Sequence, residues 1–247
     1  MIRTIAESSV KERIAGRILH IGPMAIYGFF YLLWFGIIED VERKEYLVLG
    51  SELDQAIPFV EAFVIPYHSW FPFMLIWGLA LLLADKEAFD RLSTFLMIGM
   101  TFFLIVSSLV PTAVNLRPAV LTRNNIFTDL IRLLWKADTP TNVWPSIHVF
   151  NTAAIYMAAV RSTLYRKMKP PVRILLGVWS VSICLSTVLI KQHSLLDVLA
   201  GLIMMVVLSF FIYDLNLVFR FARWDAFCAR RLAGMPARRK KRVYLRE

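Results

Sequence analysis

The sequence has few of the residues that build disulfide-stapled or metal-binding proteins. Its 247 residues include two cysteines and four histidines. Cys184 lies in an apolar run and Cys228 in a basic segment, a spacing that fits neither a metal site nor a disulfide, so we expect free thiols. Glycines and prolines are scattered, without a repeat or a low-complexity tract. A single domain without a linker is the simplest organisation.

Charged residues are also scarce. They make up 19% of the chain, whereas hydrophobic residues make up 58%, and the mean hydropathy is +0.60. A soluble domain does not need so large an apolar fraction, which indicates a membrane protein. The first apolar stretch begins after Arg13 and Arg17 and lacks a small-residue cleavage pattern. We therefore expect a retained anchor and not a removed signal peptide.

The net charge of +10 is concentrated at one end of the chain. Ten of the 28 lysines and arginines lie in residues 220–246, including the run Arg-Arg-Lys-Lys-Arg at 238–242. Basic residues beside a hydrophobic helix attract anionic lipid headgroups at about 1 kcal/mol each and also anchor topology. We therefore divide the chain into a membrane domain, residues 1–219, and a basic cytoplasmic tail, residues 220–247. Nucleic acid is not an expected partner.

Hydropathy predicts an all-α fold, a bundle of six transmembrane helices. About 20 apolar residues cross the hydrocarbon core of a bilayer. Stretches near that length occur at residues 18–38, 67–84, 92–110, 146–160, 174–190 and 195–219, of which the fourth is the shortest. The mixed stretch at 57–63 is expected to lie in the interface and not to cross.

The distribution of lysine and arginine predicts the orientation. In the six-helix arrangement 21 of them fall on one side and the remaining 7 on the other. The positive-inside rule then places both termini in the cytoplasm. Segments 39–66, 111–145 and 191–194 would lie outside, so we expect an active site on the extracytoplasmic side of the plasma (inner) membrane.

A histidine and an aspartate at the start of the last helix form the first candidate site. His193 and Asp197 are four residues apart and share one face of a helix. A carboxylate there holds one ring nitrogen protonated and leaves the other free to attack phosphorus or to take a proton. A purely structural hydrogen bond is the alternative. His20 and His68 have no partner at a useful spacing.

A second candidate cluster begins the fourth helix with the residues Pro145-Ser146-Ile147-His148. Exposed backbone N–H groups and the helix dipole favour a phosphate at such a position, where Ser146 donates a hydrogen bond and His148 serves as acid. An ordinary helix cap is the alternative. Arg117, followed by proline, offers a guanidinium that grips phosphate oxygens with two hydrogen bonds.

Taken in order, Arg-Pro, Pro-Ser-x-His and His-x3-Asp resemble the signature of the type-2 phosphatidic acid phosphatase superfamily. The resemblance covers roughly residues 110–201 and implies a six-helix membrane enzyme without a metal or other cofactor. It also implies that His193 is the nucleophile that becomes phosphohistidine, that Asp197 orients it and that His148 is the general acid and base. It assigns phosphate binding to Arg117 and Ser146, and it matches Ser186 to the serine of the third motif.

The sequence departs from that signature at three positions. Val110 stands where the first motif has lysine, Thr187 where the third has arginine, and Ile147 where the second has glycine. Two phosphate-binding cations are therefore missing. Lys191 and Arg123 are candidate replacements, although each is also explained as a solvated interfacial charge.

Asn142 is a further candidate for the phosphate site. It precedes the Pro145 motif by three residues and is near enough to line the cavity. A turn within Thr139-Pro140-Thr141-Asn142 explains it equally well.

The expected function is hydrolysis of a lipid phosphate, such as phosphatidic acid, phosphatidylglycerol phosphate or an isoprenyl pyrophosphate, through phosphohistidine. The run Ser-Thr-x3-Lys-Gln-His-x3-Asp also looks like the inositol phosphorylceramide synthase branch, so transfer of a phosphoalcohol headgroup, as in that enzyme or sphingomyelin synthase, is the alternative. Fewer cations suit a less charged phosphodiester. A non-catalytic transporter or scaffold is the second alternative, but it has little chemical reason to keep His148, His193 and Asp197 together.

Overall fold

The computed structural model describes residues 14–41 and 43–233, most of which are helical. The helices are α1 (Gly22–Asp40), α2 (Glu52–Ala56), α3 (Val64–His68), α4 (Trp70–Ala84), α5 (Lys86–Leu109), α6 (Ile126–Ala137), α7 (Ile147–Arg161), α8 (Thr163–Lys167), α9 (Pro170–Leu189), α10 (Leu195–Ser209) and α11 (Ala222–Ala233). A 3-10 turn (Glu61–Phe63) precedes α3, and a π-helical turn (Phe210–Asp214) extends α10. Two short strands, β1 (Leu47–Leu49) and β2 (Thr112–Val114), pair in parallel.

Among the described residues, five helical segments are long and apolar enough to cross a membrane. They are Ile14–Asp40, Glu61–Ala84, Lys86–Leu109, Pro170–Leu189 and Leu195–Asp214. The protein is therefore an integral membrane protein, as the hydropathy predicted. The predicted fourth crossing corresponds to α7, whose 15 residues rise only about 22 Å. A count of six crossings stays a prediction.

Helix α7 lies at the centre of the bundle. It packs against α4, α5, α9 and α10, and its buried residues include the polar Asn151 and Thr152. Thr152 donates its hydroxyl to the carbonyl of His148 at 2.6 Å, so it does not need a partner outside the helix. A central helix faces protein and not lipid, which explains its lower hydropathy and modest length.

The loops at one end of the bundle fold into a cap with a small core of its own. Val64, Tyr67, Ile131, Leu134 and Ile190 form this core, which joins α3, α6 and the end of α9. The stretch at 57–63 makes no separate crossing, because it leads through the 3-10 turn into α3 and α4. The second span is consequently longer at its start than the sequence predicted.

At the opposite end of the bundle, His20 joins α11 to the membrane helices. Its Nε2 lies 2.6 Å from Asp90 and its Nδ1 lies 2.7 Å from Asp225. The expectation that His20 lacks a partner was wrong, because both partners are far away in sequence. Partial burial favours a raised pKa at Asp225, but hydrogen bonds from Lys86 and His20 outweigh it and lower that pKa. The basic run 238–242 lies outside the described residues.

The contact between α5 and α7 gives a first testable prediction. A methyl group on Gly99 would lie 2.1 Å from ring atoms of Phe150, which is fully buried. Overpacking of this kind costs about 1–3 kcal/mol. We expect Gly99→Ala to lower the melting temperature in detergent. Gly78→Ala is the control, since nothing lies within 4 Å of its added methyl; equal melting temperatures of the two variants would contradict this packing.

Candidate active site

A small cavity of about 60 Å³ lies under the cap, at the end of the bundle where α7 begins. The two candidate histidines, His148 and His193, both line it. The rest of its polar lining comes from distant parts of the chain and includes Glu39, Tyr67, Asp138, Thr139, Thr141, Asn142 and Gln192. The fold thus gathers at one point residues from segments 39–66, 111–145 and 191–194, the three that the sequence analysis assigned to one side of the membrane.

His148 is held by the start of α7 and by aromatic rings. Ser146 caps the helix, with its hydroxyl accepting from the Val149 backbone at 3.5 Å, and is fully buried. The imidazole lies against Tyr67 and Trp70, with ring centroids 4.5 and 4.2 Å away. Its Nδ1 is buried without a hydrogen-bond partner in the described part of the chain. The aromatic contacts thereby fix the orientation of the ring at the cavity.

His193 lies in the tight connection between α9 and α10. The backbone N–H groups of Gln192 and His193 both donate to the carbonyl of Thr187, at 2.9 and 3.0 Å. His193 is 6% exposed, and its ring centroid lies 5.6 Å from that of His148. Two imidazoles at this separation can flank one phosphorus atom, since reacting atoms need to approach to about 3–3.5 Å.

Asp197 caps the start of α10, and its carboxylate also faces His193. Its Oδ2 accepts from the backbone of Ser194 at 2.7 Å, and the Ser194 hydroxyl accepts from the backbone of Asp197, which makes a reciprocal cap. The same Oδ2 lies 3.5 Å from His193 Nδ1, too far for a hydrogen bond of good geometry, and this nitrogen has no hydrogen-bond partner among the described residues. The carboxylate is fully buried and faces the ring, as the four-residue spacing predicted.

Arg117 reaches the cavity only through a neighbour. Its Nη2 donates to the Gln192 side-chain oxygen and to the carbonyl of Asp138, both at 2.7 Å. The guanidinium carbon lies 5.6 Å from the ring centroid of Trp135. Burial lowers the pKa of Arg117, and the nearby Asp138 charge opposes that shift. Arg117 stands behind Gln192 and is not among the residues that line the cavity.

The two replacement cations suggested by the sequence lie elsewhere. The ammonium of Lys191 donates to the carbonyls of Asp54 and Ile57, which holds it in the cap and away from the cavity. Burial lowers the pKa of this amine, and the Asp54 charge opposes that shift. Arg123 pairs with Glu61 at 2.8 Å. The expectation that Lys191 binds phosphate therefore needs correction, because backbone carbonyls already use its hydrogen bonds.

The last two predicted phosphate ligands differ in position. Ser186 is fully buried inside α9 and donates to the carbonyl of Ile183 at 2.6 Å, so it does not line the cavity. Asn142 does line it, in a turn with a φ of 53°, and donates its side-chain amide to Glu39 at 2.6 Å. Both interpretations of Asn142, as a turn residue and as a cavity residue, therefore hold.

Sequence reasoning missed several residues that shape the site. Tyr67 and Trp70 clamp His148, Glu39 lines the cavity, and Asp54 accepts from the Leu195 backbone at 2.6 Å and so caps α10. None of them belongs to a motif, and only the fold shows their roles. Only Gln192 could have been suspected from the sequence, because it directly precedes His193.

The comparison with known protein families decides the kind of protein. Residues 92–220, just over half of the chain, match the family model of the PAP2 superfamily. The chain belongs to the PAP2 superfamily. The matched range includes His148, His193, Asp197 and Arg117. No curated protein and no solved structure matches the chain.

Membership in the PAP2 superfamily indicates an enzyme, a lipid phosphatase or phosphotransferase. This conclusion agrees with the expectation from the motifs, but the match does not separate the branches of the superfamily. Within residues 14–41 and 43–233, the structure shows no group of three or more His, Cys, Asp or Glu side chains arranged to hold a metal ion.

The crossing of α7 and α10 gives a prediction about the site. A methyl group on Gly201 would lie 2.7 Å from the carbonyl oxygen of Ser146, a backbone atom that must move to make room. Because a misplacement of about 1 Å can cost about 100-fold in rate, we expect Gly201→Ala to lower lipid cleavage at least about 10-fold.

Gly36→Ala is the matched control, since no atom lies within 4 Å of its added methyl. Initial rates on a cleavable lipid in detergent, measured on folded protein, compare the two variants. Equal rates would show that this close approach does not position His148.

Proposed function

We propose that this PAP2 protein cleaves a phosphate ester of a membrane lipid through a covalent intermediate on His193. The observation that carries the proposal is the convergence of His148 and His193 in one cavity, with Asp197 behind the second ring. His193 attacks phosphorus while His148 protonates the leaving oxygen. His148 then takes a proton from water or from a lipid alcohol, which attacks phosphorus and frees His193.

A larger apolar groove beside the cavity supports a lipid substrate. Its volume is about 690 Å³, within the usual range of ligand pockets, and it shares Tyr67, Asp138 and His148 with the small cavity. Its walls include the exposed apolar side chains Leu32 and Phe71. A lipid tail in this groove brings its phosphate to His148 without leaving the apolar layer.

Hydrolysis and headgroup transfer both follow from this chemistry. The described residues that line the cavity include no lysine or arginine, which favours a phosphodiester over a more highly charged monoester. Transfer to a lipid alcohol, as in the inositol phosphorylceramide synthase-like branch, is therefore the second candidate. Mass spectrometry of membranes given labelled lipid separates the two, because hydrolysis yields a water-soluble phosphate whereas transfer yields a new phospholipid.

The catalytic roles give a prediction about activity. Removal of one member of a catalytic unit typically costs about 10³-fold or more. We expect His193→Ala and His148→Ala to abolish lipid cleavage in detergent with a metal chelator present. Asp197→Asn should reduce it more mildly, since asparagine keeps the shape but loses the charge that stabilises the imidazolium.

Asp129→Asn is the matched control for the aspartate, because Asp129 is exposed, forms an ion pair with Arg132 and does not line the cavity. Melting temperatures separate loss of fold from loss of chemistry. Wild-type cleavage rates in His193→Ala would reject the nucleophile, and folded wild type that cleaves no lipid would favour the transporter or scaffold alternative. Loss of wild-type activity in the chelator would reject metal independence.

The proposed topology places both termini in the cytoplasm, six helices across the plasma (inner) membrane and the cavity outside. It is supported by the cavity lying at the end of the bundle that carries fewer lysines and arginines. In the same proposal, residues 1–219 form the membrane domain and the tail, residues 220–247, meets anionic headgroups at the cytoplasmic face.

Exposed residues at the two ends of the bundle make the topology testable. In a chain with Cys184 and Cys228 replaced by serine, we expect Glu52→Cys to react with an impermeant maleimide on intact cells. Lys167→Cys, in α8 at the other end, should react only after permeabilisation. The opposite pattern would reverse the orientation.

A further inference from the structure

The charges around the cavity are unusual for a site that is to receive a phosphate. The carboxylates of Glu39 and Asp138 line it, whereas no lysine or arginine among the described residues does so. A phosphate monoester carries close to two negative charges at pH 7. Such a group would face repulsion from both carboxylates, and a phosphodiester, with one negative charge, would face less.

Gln192 offers a neutral donor at the histidine end of the cavity. Its side-chain oxygen accepts from Arg117 at 2.7 Å, and since a guanidinium can only donate, the amide nitrogen must point the other way. That nitrogen is buried without a partner in the described part of the chain, in a residue that is 2% exposed and lines the cavity. Buried donors are rarely left unpaired, so a ligand oxygen next to His193 is the natural partner.

Glu39 places an uncompensated negative charge on the same cavity. Its two oxygens accept from Asn142 at 2.6 Å and from Thr139 at 2.7 Å, which are neutral donors that orient the carboxylate and leave its charge in place. Across residues 14–41 and 43–233, no lysine or arginine forms an ion pair with it. Asp138 differs, because it accepts from Tyr67 and has Arg117 nearby.

We propose that the substrate is a phosphodiester lipid with a cationic aminoalcohol headgroup, its phosphate on Gln192 and His193 and its ammonium on Glu39. The inference rests on the proposed function and names the substrate class for that site. A polyol headgroup supplies hydroxyl groups but no positive charge, so it leaves Glu39 uncompensated. A zwitterionic headgroup matches both poles of the cavity.

The reaction balances on this substrate. The His193 nitrogen forms a bond to phosphorus as the bond from phosphorus to the diacylglycerol oxygen breaks, and protonated His148 gives that oxygen its proton. The phospho-aminoalcohol stays on His193. Water or a lipid hydroxyl then loses a proton to His148 and attacks phosphorus, and the bond from phosphorus to nitrogen breaks.

The experiment compares three lipids with the same acyl chains: phosphatidylethanolamine, phosphatidylglycerol and phosphatidic acid. We expect the folded wild-type protein to have a kcat/KM for phosphatidylethanolamine at least about 10-fold above the other two. Glu39→Gln should erase most of that preference through KM, and Glu39→Lys should reverse it towards phosphatidylglycerol. Glu52→Gln, the same change at an exposed position, is the control and should keep the wild-type preference.

Gln192 is tested separately, with the chain's other glutamine as control. Gln192→Leu should lower kcat on both diesters, because its donor serves the phosphate that they share, whereas Gln55→Leu, at an exposed position, should not. A wild-type preference for phosphatidylglycerol or phosphatidic acid overturns the inference. So does a preference that Glu39→Gln leaves unchanged, or a Gln192→Leu variant that matches wild type.

Failure of the proposed function looks different. In that case the wild-type protein cleaves none of the three lipids, or His193→Ala cleaves them as fast as wild type. Cleavage that depends on His193 but ignores the headgroup amine keeps the function and rejects only the substrate class. Melting temperatures of each variant identify any that fail to fold.

Discussion

The site depends on the place where the starts of α7 and α10 meet. The backbone N–H of Ser146 donates to the carbonyl of Asp197 at 3.1 Å, and the absence of a side chain at Gly201 lets α10 approach the carbonyl of Ser146. One helix start carries His148 and the other follows His193. Their close approach brings two rings from segments 45 residues apart in sequence to 5.6 Å.

The cap holds the connection between α9 and α10, which carries His193, in place over the helix crossing. Lys191 and Asp54 tie the connection between α9 and α10 to α2, because the lysine ammonium donates to the Asp54 carbonyl and the Leu195 backbone donates to the Asp54 carboxylate. Lys191 has a φ of 59°, and its ammonium donates to the backbone carbonyls of Asp54 and Ile57. A cation two residues before His193 thus stabilises the connection between α9 and α10, and among the described residues the polar lining of the cavity is neutral, acidic or imidazole.

This distribution of charge connects the fold to the chemistry. In the PAP2 signature, cations surround the phosphate. Here Arg117 lies behind Gln192 and donates to its side-chain oxygen, so the guanidinium orients the amide and does not line the cavity itself. A site of that kind has less to gain from a doubly charged phosphate and more from a ligand that brings a positive charge of its own. The apolar groove next to His148 is large enough for a lipid tail, so in the proposed function the polar and apolar parts of the substrate bind to separate surfaces.

The sequence by itself determined the helical membrane architecture and the position of Asp197 on the helix face next to His193. Both depend on local regularities, since hydrophobic length marks a crossing and a spacing of four residues defines a helix face. Only the tertiary structure decided the partners of His20, the clamp of Tyr67 and Trp70 on His148, and the place of Glu39 in the cavity. These contacts join segments that are far apart in the chain, so no local pattern reveals them. Lys191 shows the same limit: its place beside His193 suggested phosphate binding, but the fold puts backbone carbonyls within reach of its ammonium.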